Sequence, residues 1–129
     1  MELRIKLVER LKNLEKGFVF DSPIGRGLGA FSSEKAHKVN DEIVVEVDTE
    51  SNFDFSKNSF EISADEDYGL KYENNRNVMS GIIEDILDES NAILLIGEHR
   101  FIFEYEGVIR KGASVRLELG VLDLYEIEY

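Results

Sequence analysis

Gly25-Arg26-Gly27-Leu28-Gly29 is the segment of this 129-residue chain closest to phosphate chemistry. Alternate glycines let a backbone turn sharply and approach a phosphate closely. A phosphate-cradling loop also needs Gly-Lys followed by Ser or Thr, with a strand before it and a helix after. Ala30-Phe31-Ser32-Ser33 follows instead, without the lysine. The glycines are therefore read as a turn, or as positions where backbones pack closely. His37 lies in the polar run Glu34-Lys35-Ala36-His37-Lys38, and His99 in an expected hairpin turn. Neither has a second His or Cys at metal-ligand spacing, and the chain has no cysteine at all. Disulfides and thiolate sites are excluded, and no metal or other cofactor is expected.

Carboxylates are abundant, but their spacing does not make a site. Asp65-Glu66-Asp67 lacks the glycine at loop position six and the closing Glu at position twelve of an EF-hand. The couples Glu84/Asp85 and Asp88/Glu89 suggest an acid–base pair. Adjacent residues on a regular strand point to opposite faces, so neither couple is expected to meet one substrate. No nucleophile–base arrangement is visible, and the chain is not expected to be an enzyme. Phe53, Phe55, Phe60, Phe101 and Phe103 resemble base-stacking platforms, yet they fall on alternating segments and read as core. A sequence pI near 4.6 is the wrong footprint for nucleic acid.

Charge is the more informative property. Asp and Glu number 27 against 15 Lys and Arg, a formal net charge of −12. Residues 1–40 balance at +3, residues 41–73 at −9, and residues 74–129 at −6. A field concentrated in this way steers a cationic partner and slows its approach when screened by salt. The expected partner surface is Asp65, Glu66 and Asp67, with Glu84, Asp85 and Glu104 as second choices on rigid strands.

These residues need a scaffold, and the hydrophobic pattern describes one. Leu3, Leu7, Leu11 and Leu14 form a helical stripe, with Gly17 where a cap would fall. They predict a helix over residues 6–16, although Leu3, Ile5 and Leu7 also alternate as a strand does. Ser22-Pro23-Ile24-Gly25 through Gly29 is expected to be irregular or turning. The rest reads as β. Ile43, Val45 and Val47 share a face, as do Tyr68, Leu70 and Tyr72, then Phe101, Phe103 and Tyr105. Phe60 and Ile62 mark another strand, and Val78 to Leu87 a long one. Ala92 to Ile96 is apolar on both faces, the pattern of a strand buried on two sides. Val115, Leu117 and Leu119 alternate before the phase breaks near Gly120, where a bulge or bend is expected. The fold class is mainly β (α+β), an antiparallel barrel or sandwich with one N-terminal helix, in a single domain over residues 1–129. No run approaches 18 apolar residues, so no membrane partner is expected. The opening Met1-Glu2-Leu3-Arg4-Ile5-Lys6 does not resemble a signal peptide, and a cytoplasmic location is expected.

Pro23 to Phe31, Lys38 to Val47, Ser80 to Ile86, Ala92 to Gly97, and Gly112 to Leu119 with Leu122 to Tyr125 together resemble a known family. They look like the small immunity proteins encoded beside bacterial polymorphic toxins, including those of contact-dependent growth inhibition. The resemblance is one of strands and glycines over about residues 23–125 and carries no active-site positions. It implies specific neutralisation of a cognate toxin, commonly a basic nuclease. The acidity is compatible with that role, since carboxylates suit a phosphate-binding cleft. Two other readings compete: a β-barrel adaptor or assembly subunit, and a small-ligand protein or enzyme using scattered carboxylates and tyrosines.

Overall fold

Leu3, Ile5 and Leu7 decide how the chain begins. A helical stripe through Leu3, Leu7, Leu11 and Leu14 would leave Ile5 on the wrong side, whereas a strand buries all three together. The computed structural model describes residues 1–55, 62 and 67–128, and in it this segment is strand β1, Glu2–Arg10. The expected helix over residues 6–16 is not formed, and no helix occurs among the described residues. β1 is paired on both edges, with β2 (Gly17–Ser22) and with β4 (Glu42–Asp48). Those two ladders supply more backbone hydrogen bonds than a short isolated helix could keep in water. Burying Leu3, Ile5 and Leu7, each no more than 1% exposed, adds about 2 kcal/mol apiece before entropy is counted. Leu11 and Leu14 fall beyond the strand, in the connection to β2.

β3 (Gly25–Phe31) follows β2 in an antiparallel hairpin, so the glycine-rich segment is mostly a regular strand, with its turn confined to Pro23–Ile24. Gly25 has φ of 131°, and a Cβ there would run into the Leu70 carbonyl oxygen. Side chains at Gly27 and Gly29 would strike Phe20 at 2.8 Å and Leu124 at 2.6 Å. The alternate glycines thus make room for large residues inside the fold, not for a phosphate.

The last strand, β11 (Leu122–Glu126), lies between β3, which it meets in parallel, and β4, which it meets antiparallel. The circuit β1–β2–β3–β11–β4 closes on itself as a five-stranded barrel. One parallel seam therefore completes what was expected to be an antiparallel structure. β11 can enter there because the chain bends at Gly120–Val121, where the change of hydrophobic phase placed a bend.

The remaining strands are β5 (Asn52–Asp54), β6 (Gly69–Glu73), β7 (Arg76–Ile86), β8 (Asn91–Ile96), β9 (His99–Glu106) and β10 (Ser114–Leu119). β7 organises them. It pairs with β6 near its start and β8 near its end along one edge, and with β10 along the other. β9 pairs with β8 and then, in parallel, with β5. Gly81 lies in β7 where a Cβ would meet the Leu95 carbonyl, so the strand has no space for a larger residue. Barrel and sheet share one apolar core that runs from Leu3, Phe18 and Phe20 to Leu94, Phe101 and Leu117.

Asn77 fastens the two parts. Its side chain is fully buried, accepts from the Leu28 N–H at 2.7 Å, and donates to the Leu28 and Gly120 carbonyls at 2.8 and 2.6 Å. One amide thereby satisfies backbone groups of β3 and of the bend before β11, from a position on β7.

Candidate functional site

β8 departs from the expectation that both its faces are buried. Ala92, Leu94 and Ile96 enter the core, but Ile93 and Leu95 remain partly exposed on the other side. Their cross-strand neighbours define an outer face. Ile82, Leu95 and Arg100 form one row across β7, β8 and β9, and Asp85, Ile93 and Ile102 form the next. Asn91 and Glu104 continue the pattern across β8 and β9. Ile102 is 55% exposed, and Leu87 at the end of β7 is 49% exposed. An apolar seam of Ile82, Leu95, Ile93 and Ile102 therefore reaches the surface within a protein of net charge −12.

Acidic residues border this seam. The β7–β8 register slips between Ile83 and Asp85, leaving Glu84 as an extra residue. In a regular strand Glu84 and Asp85 would point to opposite faces. The bulge cancels that alternation: Asp85 pairs with outward Ile93, and Glu84 accepts a 2.7 Å hydrogen bond from Arg100, which lies opposite Leu95. Both carboxylates consequently lie on the outer face, which corrects the expectation that this couple could not converge. Arg100 reaches across β8 to meet Glu84, so its aliphatic stem shields part of Leu95. Glu104 completes the border on β9.

The six expected contact residues thus fall into separate groups. Glu84, Asp85 and Glu104 come together around the seam. Asp67 is exposed just before β6, which pairs with β7. Asp65 and Glu66 lie outside the described residues, as does Phe60. Phe53, Phe101 and Phe103 are buried, and Phe55 packs against Phe103 and Tyr105 with ring centroids 6.2 Å from each. These aromatics fill the core.

A second acidic group escaped the sequence reading. Asp123 on β11 stands directly opposite Asp48 on β4, and Tyr125 opposite Glu46. Burial raises the Asp123 carboxyl above its ordinary value, and the nearby charges of Glu50 and Asp48 raise it further. Residues 75 positions apart in sequence give no local signal of this contact. Like charges directly across a ladder destabilise it, which leads to a prediction. A carboxyl whose folded-state pKa is raised costs stability once pH exceeds that value, and costs nothing when pH is below the ordinary value of 3.8. Asp123→Asn should therefore stabilise the protein by about 0.5–1 kcal/mol at pH 7. Thermal melts at pH 7 and near pH 4 test this: the gain should shrink at the lower pH, and an equal gain at both would refute the electrostatic cause.

The histidines occupy different settings. His99 opens β9 after the Gly97–Glu98 turn. His37, expected in a polar run, is instead buried against Phe31, ring on ring at 3.9 Å, with Nε2 3.2 Å from Glu126. Glu126 also accepts from Lys35 at 3.0 Å, and this bond holds its carboxyl below the ordinary value; burial opposes the shift and His37 adds to it. The trio ties the β3–β4 connection to β11. Among the described residues, no three His, Asp or Glu side chains gather at metal-binding spacing.

Comparison of the chain with protein-family models, with curated proteins and with solved structures found no match in any of the three.

Proposed function

We propose that this chain is a protein-binding module that neutralises a basic, nuclease-like toxin by forming a tight complex, with the outer face of β7–β8–β9 as its contact centre. The observation that supports this reading is the seam of half-buried Ile82, Ile93 and Leu95 with exposed Ile102, bordered by Glu84, Asp85 and Glu104. Binding interfaces combine a desolvated apolar centre with a polar rim. The largest apolar patch on a monomer is often its functional one. The carboxylate rim selects a cationic one and speeds its approach. At strand and residue spacings of about 4.8 and 3.4 Å the four residues of the seam cover on the order of 130 Å². A standard interface needs roughly 800 Å² per partner, so the seam serves as its hot spot, with surrounding acidic surface as the rim.

The test begins with the partner that co-purifies with the native chain, followed by stopped-flow association with the purified components. Glu84→Lys, Asp85→Lys and Glu104→Lys combined should slow association by at least about tenfold, because steering charges act chiefly on the on-rate. Raising ionic strength from about 0.05 to about 0.5 M should slow the wild type and leave the triple variant nearly unaffected. Cells producing the toxin should lose protection when the triple variant replaces the wild type. Association unaffected by both salt and charge reversal would place the contact elsewhere. A co-purifying partner without toxicity would instead favour the adaptor reading.

A further inference from the structure

We infer that a groove on the outer wall of the barrel, beside the β1–β2 connection, is a second binding site, for a small apolar molecule that carries a carboxylate. Leu11 and Leu14 are the leucines that the strand β1 leaves outside the core. They form one wall of a groove of about 310 Å³. Tyr72 and Val121, at the bend before β11, also line it, and buried Leu28 is its floor. Four separate stretches of chain, residues 11–14, Leu28, Tyr72 with Asn75, and Val121, thus converge on one concave, largely apolar site.

The polar groups in the groove are few, and they are donors. Lys12 is the only charged residue among the described ones that line it. Asn75 belongs to a two-residue hairpin turn in which Asn74 and Asn75 have φ of 51° and 60°, the geometry of a type I′ turn. The Tyr72 hydroxyl donates to Asn75 Oδ1 at 3.0 Å, which leaves the amide NH₂ end for another acceptor. An ammonium and an amide beside an apolar trough suit one carboxylate followed by a short hydrocarbon chain. The volume lies at the lower end of ligand pockets, matching a medium-chain fatty acid and not a folded partner. The site uses different residues from the acid-rimmed face, and its ligand has the opposite charge.

Octanoate is the probe. Titrated into isotopically labelled protein below its micelle concentration, it should produce saturable amide shifts confined to residues 11–14, Leu28, Asn75 and Val121. Lys12→Glu, on an exposed loop, should weaken binding about tenfold without lowering the melting temperature. Val121→Asp should weaken it similarly by obstructing the groove with charge. 1-Octanol should bind several-fold more weakly than octanoate. The proposal is overturned if no saturable shifts appear at the groove, if they centre on Ile93 and Ile102 instead, or if octanol binds as well as octanoate.

Discussion

Leu94→Asp should abolish the cooperative unfolding transition, whereas Ile93→Asp, one residue earlier, should leave it within a few degrees of wild type. Leu94 is fully buried and faces Ile83 on β7 and Phe101 on β9, both also in the core. A carboxylate there has no partner among its apolar neighbours. Burying it costs several kcal/mol, comparable to the roughly 5–15 kcal/mol that holds a domain together. Ile93 points the other way, between Asp85 and Ile102 on the outer face. Its replacement keeps the new charge hydrated and costs about 1 kcal/mol through repulsion by Asp85. The two variants therefore separate fold from function: Leu94→Asp should be unfolded, and Ile93→Asp folded but impaired in partner binding. Circular dichroism melts of both, with binding measured for the second, check this. A Leu94→Asp protein that melts cooperatively near the wild-type temperature would mean that β8 is in the opposite register.

Alternation was the legible part of the sequence because its cause is local. Ile43, Val45 and Val47 in β4, the aromatic face of β9, and Val115, Leu117 and Leu119 in β10 all point inward where the period of two places them. The bend at Gly120 showed itself through the phase change between Leu119 and Leu122. The N-terminal segment misled because two periodicities overlap in Leu3 to Leu14, and only long-range pairing with β2 and β4 decides between them. β8 misled because two-sided apolarity reads as double burial, yet Ile93 and Leu95 on its second face are only partly buried. The site was half legible. Glu84, Asp85 and Glu104 could be named as strand carboxylates, but a bulge that brings Asp85 onto the side of Glu84 leaves no mark in composition. The contact of Asp48 with Asp123, and the buried stack of His37 on Phe31, depend on barrel closure by β11 and had no signal at all.

Asn77→Asp should be among the most damaging substitutions that preserve side-chain volume. The native amide is matched to its surroundings, with one oxygen accepting from the Leu28 N–H and one nitrogen donating to two carbonyls, those of Leu28 and Gly120. A carboxylate retains the first bond and turns both others into oxygen–oxygen repulsions, within a fully buried site. Losing two buried hydrogen bonds costs about 1–3 kcal/mol each, and the buried charge adds to this, for about 4 kcal/mol or more at pH 7. The introduced carboxyl would have its pKa raised in the folded state, so the loss should be complete above that raised value and diminish as pH falls toward the ordinary carboxylate range. Asn77→Ala has no charge to titrate; it should cost about 2–4 kcal/mol with little dependence on pH. Urea denaturation of both variants at pH 7 and pH 4.5 distinguishes the causes. Because the amide holds the backbone of Leu28, the floor of the groove on the outer wall of the barrel, Asn77→Ala should also weaken octanoate binding under conditions where the variant remains folded. An Asn77→Asp protein within about 1 kcal/mol of wild type at pH 7 would show that barrel and sheet are joined by apolar packing alone.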